Sequence, residues 1–175
     1  MKILLLCWRD STHPQGGGSE RYLERVGEYL AAQGHEVVFR TARHMNAAKR
    51  ERRNGVLYSR AGAKFSVYPR ALLALLFGTR DMRGFDVVVD THNGIPFFAR
   101  LVTRVPVVIL THHCHREQWP VAGPVLARLG WFLESRVVPV LYRGNTWVTV
   151  SEASKRDLEK LGIYGAHIIE NGVDP

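Results

Sequence analysis

Two groups of residues in this sequence have the types and spacing that ligand chemistry requires. The first is a glycine-rich loop, Gly16-Gly17-Gly18, which follows an apolar run ending at Cys7 and precedes an amphipathic segment. Glycines let a backbone approach a ligand closely, and the N-terminus of a helix offers unpaired N–H groups. The loop is therefore the first candidate binding site, although a tight connection without a ligand explains the same pattern.

The residues around the glycine loop favour a sugar over a free phosphate or a dinucleotide. The dinucleotide fingerprint is incomplete, because the third glycine is missing and the strand that ends at Arg40 and Thr41 carries no ribose-binding acid. Glu20 falls in the first turn of the predicted helix, where its charge would repel a phosphate on the helix N-terminus but would suit hydroxyl groups. We therefore predict that Glu20 binds substrate.

The second group consists of polar residues that follow two buried strands. His92 and Asn93 come after one strand, and His112, His113 and His115 come after the next. Ligands of open α/β sheets bind at the carboxyl ends of the strands, so these positions predict a site.

A metal centre is a poor explanation of these histidines. Adjacent residues such as His112 and His113 point to opposite faces of a continuing strand, and the sequence has neither a His-x-x-x-His pair nor a paired-cysteine motif. We therefore predict no metal ligands and no cofactor. One histidine that faces the ligand is sufficient for sugar or phosphate chemistry, and His113 and His115 are expected to be structural.

The elements that position both groups follow from hydrophobic periodicity. Residues 3–7 form a continuous apolar run, which is typical of a strand covered on both faces of a parallel sheet. Apolar residues then recur at helical spacing between a predicted N-cap at Ser19 and a terminating glycine at Gly34. A second strand over 36–41 completes a β-α-β unit, which is half of a doubly wound fold.

The whole pattern predicts an α/β fold with a Rossmann-like, doubly wound and mostly parallel sheet of about seven strands and helices on both faces. The leucines of the second predicted helix are assigned to the core, and a kink is expected at Pro139. The later strands are predicted over 56–58, 85–90, 107–111, 146–150 and 167–169. The later helices are predicted over 68–77, 96–102, 120–143 and 151–161, the last of them capped by Ser151.

Composition and charge restrict the classes of function. The chain has 175 residues, two cysteines and a net charge of +8, so we expect one domain over 1–170 in a reducing, cytoplasmic setting. A basic cluster, Lys49, Arg50, Arg52 and Arg53, is predicted to be a solvated loop or a contact with an anionic membrane surface, which would make the protein peripheral at the inner face. No interleaved aromatic motif for RNA accompanies it, so no nucleic acid is expected.

Four motifs in register resemble the glycosyltransferases of family 4. They are Gly17-Gly18-Ser19-Glu20, the strand over 107–112, Val150-Ser151-Glu152-Ala153-Ser154-Lys155, and Asn171-Gly172-Val173-Asp174. The resemblance implies the N-terminal, acceptor-side half of a two-domain GT-B enzyme with strand order 3-2-1-4-5-6-7. It also implies that 171–175 begin the interdomain linker and that the C-terminal donor-binding domain is absent from this chain.

The same resemblance implies a reaction and the residues that serve it. Family members move a sugar from a nucleotide-diphosphate sugar to a glycan, lipid or small-molecule acceptor, with retention of configuration and without an essential metal. By the resemblance, Gly17 and Gly18 approach the substrates through their backbone, His112 is the catalytic contact near the anomeric centre, and Ser151 binds substrate. His113 departs from the acidic or hydroxyl residue that is commoner there.

Two other classes of protein stay open from the residues alone. A non-catalytic, basic membrane-surface module would need only the net charge of +8 and the basic cluster. A nicotinamide-dependent oxidoreductase shares the β-α-β plan but lacks the nucleotide fingerprint. For the glycosyltransferase reading, we expect this chain alone to be inactive, because it would supply only one wall of the active-site cleft.

Overall fold

The computed structural model describes residues 1–79, 81–112 and 123–172. The strands are β1 (Lys2–Leu6), β2 (Glu36–Thr41), β3 (Arg50–Arg53), β4 (Val56–Arg60), β5 (Val87–Thr91), β6 (Val107–Thr111), β7 (Thr146–Thr149) and β8 (His167–Ile168). The α-helices are α1 (Gly18–Ala32), α2 (Val67–Leu76), α3 (Pro124–Phe132), α4 (Val138–Leu141) and α5 (Glu152–Lys160).

The strands form one eight-stranded sheet in the order β3-β4-β2-β1-β5-β6-β7-β8. The pairs of β1 with β2 and β5, of β2 with β4, and of β7 with β6 and β8 are parallel, which confirms the predicted α/β class. The chain divides into two compact units. The first is Met1–Asp90 with Phe97–Val107, and the second is Thr91–Pro96 with Val108–Pro175.

In the first unit, β1 is buried on both faces, as its continuous apolar run predicts. Ile3 to Leu6 are at most 5% exposed. Helix α1 packs closely on this part of the sheet, because a Cβ atom on Gly27 would lie 2.9 Å from Cδ1 of Leu5. Gly34, at φ +86°, follows the end of α1, as predicted for a terminating glycine.

The predicted N-cap of α1 is wrong by two residues. Gly17, not Ser19, is the N-cap, and its backbone N–H donates to Oε2 of Glu20 at 2.8 Å. Ser19 instead donates from its hydroxyl to the same carboxylate at 3.0 Å. The Glu20 side chain therefore does the capping that a serine side chain was expected to do.

The basic cluster is not a loop, because Arg50–Arg53 forms β3, the antiparallel edge strand beside β4. Nη2 of Arg53 lies 2.8 Å from Oε1 of the buried Glu24, and its guanidinium stacks 4.4 Å from the ring centroid of Tyr58. Nη2 of Arg50 pairs with Oδ1 of Asp81 at 2.6 Å. Glu24 and Asp81 lie far from these arginines in sequence, so the local charge pattern gives no sign of the strand. Apart from this added edge strand, the strand order is the one that the family resemblance implies.

The prediction that the leucines of α2 lie in the core is wrong. The buried residues of α2 are Val67, Ala71 and Ala74, whereas Leu73 and Leu76 are 53% and 54% exposed. Small alanines at this spacing let the helix lie close to its neighbours, which turns the larger leucines outward. None of the helices in the described chain is both long enough and apolar enough to cross a membrane.

The helix predicted over 96–102 is also wrong, since Ala99–Leu101 forms a single 3-10 turn. The buried carboxylate of Asp90 accepts hydrogen bonds from the backbone N–H groups of Phe97 at 2.7 Å and Ala99 at 3.0 Å. Phe98 between them adopts a left-handed conformation at φ 59°. Side-chain bonds of this kind compete with helical hydrogen bonds and hold the backbone in a turn.

In the second unit, the irregularity expected at Pro139 is a π-helical segment, Leu133–Val137, that joins α3 to α4. Proline at position 139 has no N–H to donate and its ring crowds the preceding turn, so a wider turn just before it relieves the clash. The predicted start of this helix at residue 120 lies outside the described residues. Ser151 caps α5, as predicted, and Gly162 at φ +81° follows its end.

Candidate functional site

In the first unit, the loop between β1 and α1 is held by buried carboxylates that the sequence patterns do not single out. Oδ2 of Asp10 accepts a 2.6 Å hydrogen bond from Nε of Arg60, and both side chains are fully buried. Oε1 of Glu24 accepts a 3.0 Å hydrogen bond from the backbone N–H of Ser11. These contacts fix the path of the chain into the glycine loop.

The predicted substrate-binding residue Glu20 is 1% exposed and holds the glycine loop in place. Its carboxylate accepts 2.8 Å hydrogen bonds from Nε of Arg9 and from the N–H of Gly17. Burial by itself would raise the pKa of the Glu20 carboxyl, but the hydrogen bond and charge of Arg9 and the Gly17 N–H outweigh it, so the pKa lies below its ordinary value. Glu20 is therefore charged and occupied by protein donors, and its contact with a substrate stays a prediction.

The three glycines of the loop differ in the space around them. A Cβ on Gly16 would lie 2.9 Å from the carbonyl oxygen of Asp10, so the loop backbone itself leaves no room there. A Cβ on Gly17 would lie 3.4 Å from Oε2 of Glu20, and a Cβ on Gly18 would meet no described atom within 4 Å. Gly18 is thus the position where the described backbone is open to a ligand.

In the second unit, the predicted site residue His92 supports the end of β6. Its Nδ1 lies 3.1 Å from Oγ1 of Thr111, the last residue of that strand, and its N–H donates to the carbonyl oxygen of Leu110 at 2.8 Å. The ring meets Trp147 edge to face, with centroids 5.9 Å apart. Because His92 is 0% exposed, its ring would have to move before it could touch a substrate.

His112 follows directly on this supported strand end and is 7% exposed. Its carbonyl oxygen accepts a hydrogen bond from Oγ of Ser154 in the first turn of α5. Oγ of Ser151, the N-cap, accepts a 3.1 Å hydrogen bond from the N–H of Ser154. The structure therefore brings the predicted residues His112 and Ser151 together through Ser154, which the prediction missed although Ser151-x-x-Ser154 has the spacing of a capping box.

Two further polar side chains of the second unit have buried oxygen atoms without a hydrogen-bond partner in the described chain. They are Oδ1 of the predicted site residue Asn93 and Oγ1 of Thr149. Thr149 ends β7 and lies in register with Thr111 at the end of β6. Unsatisfied buried polar atoms cost about 1–3 kcal/mol each, so such atoms are typical of positions that bound water or a ligand satisfies.

Histidine and acidic side chains do not gather into a metal centre in the part of the chain that the structure describes. No group of three or more His, Cys, Asp or Glu side chains could hold an ion there. His113, Cys114 and His115 lie outside the described residues. The expectation that no cofactor is required therefore stays a prediction.

The glycine loop and the strand end at His112 both lie within the part of the chain that matches a known protein family. A family model described as Glycosyltransferase Family 4 matches residues 16–175. This chain belongs to glycosyltransferase family 4. The resemblance that the four motifs carry is thereby confirmed, and the match includes the predicted site residues from Gly17 to Ser151.

Among solved structures, the family 4 chain is similar to sucrose-phosphate synthase from Thermosynechococcus elongatus, with a TM-score of 0.69 and 15% sequence identity. The likeness covers 97% of this chain and 47% of the synthase, so the chain spans about half the length of that structure. At this identity the comparison shows a shared fold. A search of functionally curated proteins gives no significant match.

Proposed function

We propose that this family 4 chain is the acceptor-side domain of a retaining glycosyltransferase, which moves a sugar from a nucleotide-diphosphate sugar to a glycan, lipid or small-molecule acceptor. The observation that carries the proposal is the strand end at His112. Its backbone is fixed by Ser154, and the preceding Thr111 is bonded to His92. A family glycosyltransferase with an imidazole on this fixed backbone has the group that this chemistry needs.

The proposed reaction requires stabilisation of charge more than a strong base. The bond between the anomeric carbon and the diphosphate oxygen breaks, and a bond to the acceptor oxygen forms on the same face of the sugar. The leaving phosphate takes the acceptor proton. A fixed imidazole can orient the sugar and stabilise developing charge, because a preorganised polar group does not need to reorganise during the reaction.

In the first unit, Gly18 is proposed as the backbone contact for the substrate. The N–H of Gly17 is already bonded to Glu20, whereas the space above Gly18 is open. The role of Gly17 is then to let the loop pass close to the ligand, and Glu20 acts by holding the loop. Such a backbone contact agrees with the glycine-rich sequence.

We expect Gly18→Ala and Gly16→Ala to separate ligand binding from stability. The new methyl group at position 18 meets no described atom, so the free energy of unfolding should change by less than about 1 kcal/mol while binding of nucleotide sugars to the complete enzyme falls. Gly16→Ala should cost about 1–3 kcal/mol through overpacking. Thermal unfolding and calorimetric titration measure the two effects. A Gly18→Ala protein that melts early but binds normally would make position 18 structural.

We further propose that a second domain, which contacts the donor nucleotide, completes the enzyme. The match to only 47% of the synthase supports this proposal. We expect the purified 175-residue chain to release no nucleotide diphosphate above buffer hydrolysis, because positioning both substrates supplies several kcal/mol of barrier reduction that half a cleft lacks.

The experiment incubates the chain, and in parallel the complete enzyme, with a panel of nucleotide sugars and acceptors. Released nucleotide diphosphate is the readout, and NMR of the product reports whether the anomeric configuration is retained. Turnover by the chain alone would contradict the two-domain proposal. Inversion in the complete enzyme would contradict the proposed mechanism, and absence of transfer with every donor would contradict the function itself.

A second candidate function, attachment to an anionic membrane surface, is favoured by one specific observation. Arg50 of the basic strand β3 pairs with Asp81, which follows the end of α2 by five residues, and Leu73, Leu76 and Phe77 at that end of α2 are 53%, 54% and 75% exposed. Basic residues beside exposed apolar ones suit binding to an anionic bilayer. This attachment can accompany sugar transfer or replace it.

We expect replacement of both Lys49 and Arg52 by glutamine to weaken sedimentation with phosphatidylserine vesicles roughly thirtyfold, at about 1 kcal/mol per charge. These two residues are chosen because Arg50 and Arg53 of the same cluster are in ion pairs with the protein. Lys155→Gln with Lys160→Gln removes the same charge from α5 and should have little effect. Wild-type protein that stays in the supernatant at low salt would rule out this attachment.

A further inference from the structure

Five side chains from three loops of the first unit form a basic aromatic cluster, of which only Arg9, the partner of Glu20, has a role above. They are Trp8 and Arg9 directly after β1, His13 in the same loop, His44 after β2, and Lys64 after β4. All of them follow the carboxyl ends of neighbouring parallel strands. In α/β sheets this edge is where ligands bind.

Backbone hydrogen bonds hold the three loops together. The N–H of Ala42 donates to the carbonyl oxygen of Trp8 at 3.0 Å, and the N–H of Arg43 donates to that of Gly62 at 2.8 Å. Oγ1 of Thr12 lies 3.0 Å from Nε2 of His44. The cluster is therefore positioned by regular backbone contacts as well as by its side chains.

The indole of Trp8 is the centre of the cluster. Cζ of Arg9 lies 4.5 Å and Nζ of Lys64 lies 5.9 Å from its ring centroid. The ring of His13 lies 5.8 Å from the same indole, and His44 lies 5.7 Å from His13. An aromatic ring flanked by cations offers an apolar face for the carbons of a sugar and positive charge for an anion.

The acidic groups near this cluster are already neutralised by the protein. Asp10 is bonded to Arg60, and Glu20 is bonded to Arg9. Lys64 is exposed and has no carboxylate partner in the described chain; its ammonium lies only against the rings of Trp8 and Phe65. Burial and then the charges of His44 and Arg9 hold the pKa of His13 below its ordinary value, against the opposing charges of Asp10 and Glu20.

We infer that the basic aromatic cluster binds the phosphate group of a phosphorylated acceptor, with Lys64 holding the phosphate and Trp8 contacting the carbon skeleton. That the ligand is an acceptor rests on the proposed glycosyltransferase function, whereas the presence of a phosphate site does not. The phosphate can belong to a soluble sugar phosphate or to a lipid headgroup, and both present negatively charged, non-bridging oxygen atoms to Lys64. Hydrogen bonds between a charged donor and a phosphate are among the strongest that a protein makes.

The test measures binding to the 175-residue chain without any transfer reaction. The probes are glucose 6-phosphate, glucose, inorganic phosphate, and vesicles of phosphatidylglycerol or phosphatidylcholine. Titration by NMR follows the indole N–H signal of Trp8, which is assigned with the Trp8→Phe variant. Lys64→Gln tests the site, and Lys2→Gln, which removes the same charge at the opposite ends of the strands, is its control.

We expect glucose 6-phosphate to bind at least about tenfold more tightly than glucose, and Lys64→Gln to remove most of that difference while Lys2→Gln leaves it. If only phosphatidylglycerol vesicles show the Lys64 dependence, the phosphate belongs to a lipid. Equal binding of glucose and its phosphate together with no vesicle binding, or equal effects of the two lysine variants, would overturn the inference.

Failure of this inference is distinguishable from failure of the proposed function. A complete enzyme that transfers sugar to neutral acceptors as readily as to phosphorylated ones would overturn the inference that the acceptor is phosphorylated and leave the proposed transferase function intact. If a complete protein transfers no sugar but binds phosphate in a manner that depends on Lys64, the phosphate site is supported and the proposed glycosyltransferase function is contradicted.

Discussion

His112→Ala should lower the turnover number of the complete enzyme by about a hundredfold or more, because it removes one preorganised polar contact where charge develops. The side chain is held at the end of β6 by a backbone fixed through Ser154. The variant should keep its near-ultraviolet circular dichroism, since the substitution leaves the hydrogen bonds of the His112 backbone in place. Steady-state kinetics with released nucleotide diphosphate as the readout gives the size of the effect.

Two other histidines serve as controls for this prediction. His167→Ala changes an exposed residue of β8 and should leave the turnover number unchanged. His113→Ala should cost less than His112→Ala, because only His112 is assigned to the reaction. Unchanged activity of His112→Ala, or an equal loss in His113→Ala, would remove His112 from the active site.

Asp10→Ala should lower the free energy of unfolding by about 3–5 kcal/mol, which is the second large effect. The substitution leaves the fully buried guanidinium of Arg60 without the carboxylate that lies 2.6 Å from it. Chemical denaturation monitored by fluorescence measures the change. The double variant Asp10→Ala with Arg60→Met should be more stable than Asp10→Ala, because it no longer buries a guanidinium that has lost its buried carboxylate.

Glu51→Gln is the matched control, since Glu51 contacts Nη1 of the same guanidinium at 2.7 Å but is 41% exposed. It should cost less than about 1 kcal/mol, as exposed ion pairs do. An equal cost for Glu51→Gln and Asp10→Ala would show that burial of the pair is not what matters.

The pH dependence of the Asp10 effect has a definite sign. Burial raises the pKa of this carboxyl, but the hydrogen bond from Thr12 and the bond and charge of Arg60 outweigh burial and hold the pKa below the ordinary 3.8. Because the pKa is lowered in the folded state, the ionised Asp10 carboxylate contributes its full stabilisation above pH 3.8. This stabilisation is lost as the pH falls through the folded-state pKa. The difference in stability between wild type and Asp10→Ala should therefore shrink below that pH, and an increase there would contradict this account.

Features that depend on neighbouring residues were predictable from the sequence. The continuous apolar run of β1, the glycine after α1 and the serine cap of α5 each report a local requirement for burial, a left-handed residue or a capping oxygen. Short sequence motifs likewise indicate the family, among them the motif that contains Ser151. The class of fold and the family of the chain therefore followed from the sequence alone.

Features that join distant segments were decided only by the tertiary structure. Arg50–Arg53 has no apolar alternation, and the carboxylates that pair with two of its arginines, Glu24 and Asp81, lie far from it in sequence. The outward face of α2 and the Asp10–Arg60 pair depend in the same way on what the topology brings near them. Local sequence favours a conformation for each segment, but it does not specify which remote side chain neutralises a buried charge. Such partners come together only when the strands assemble.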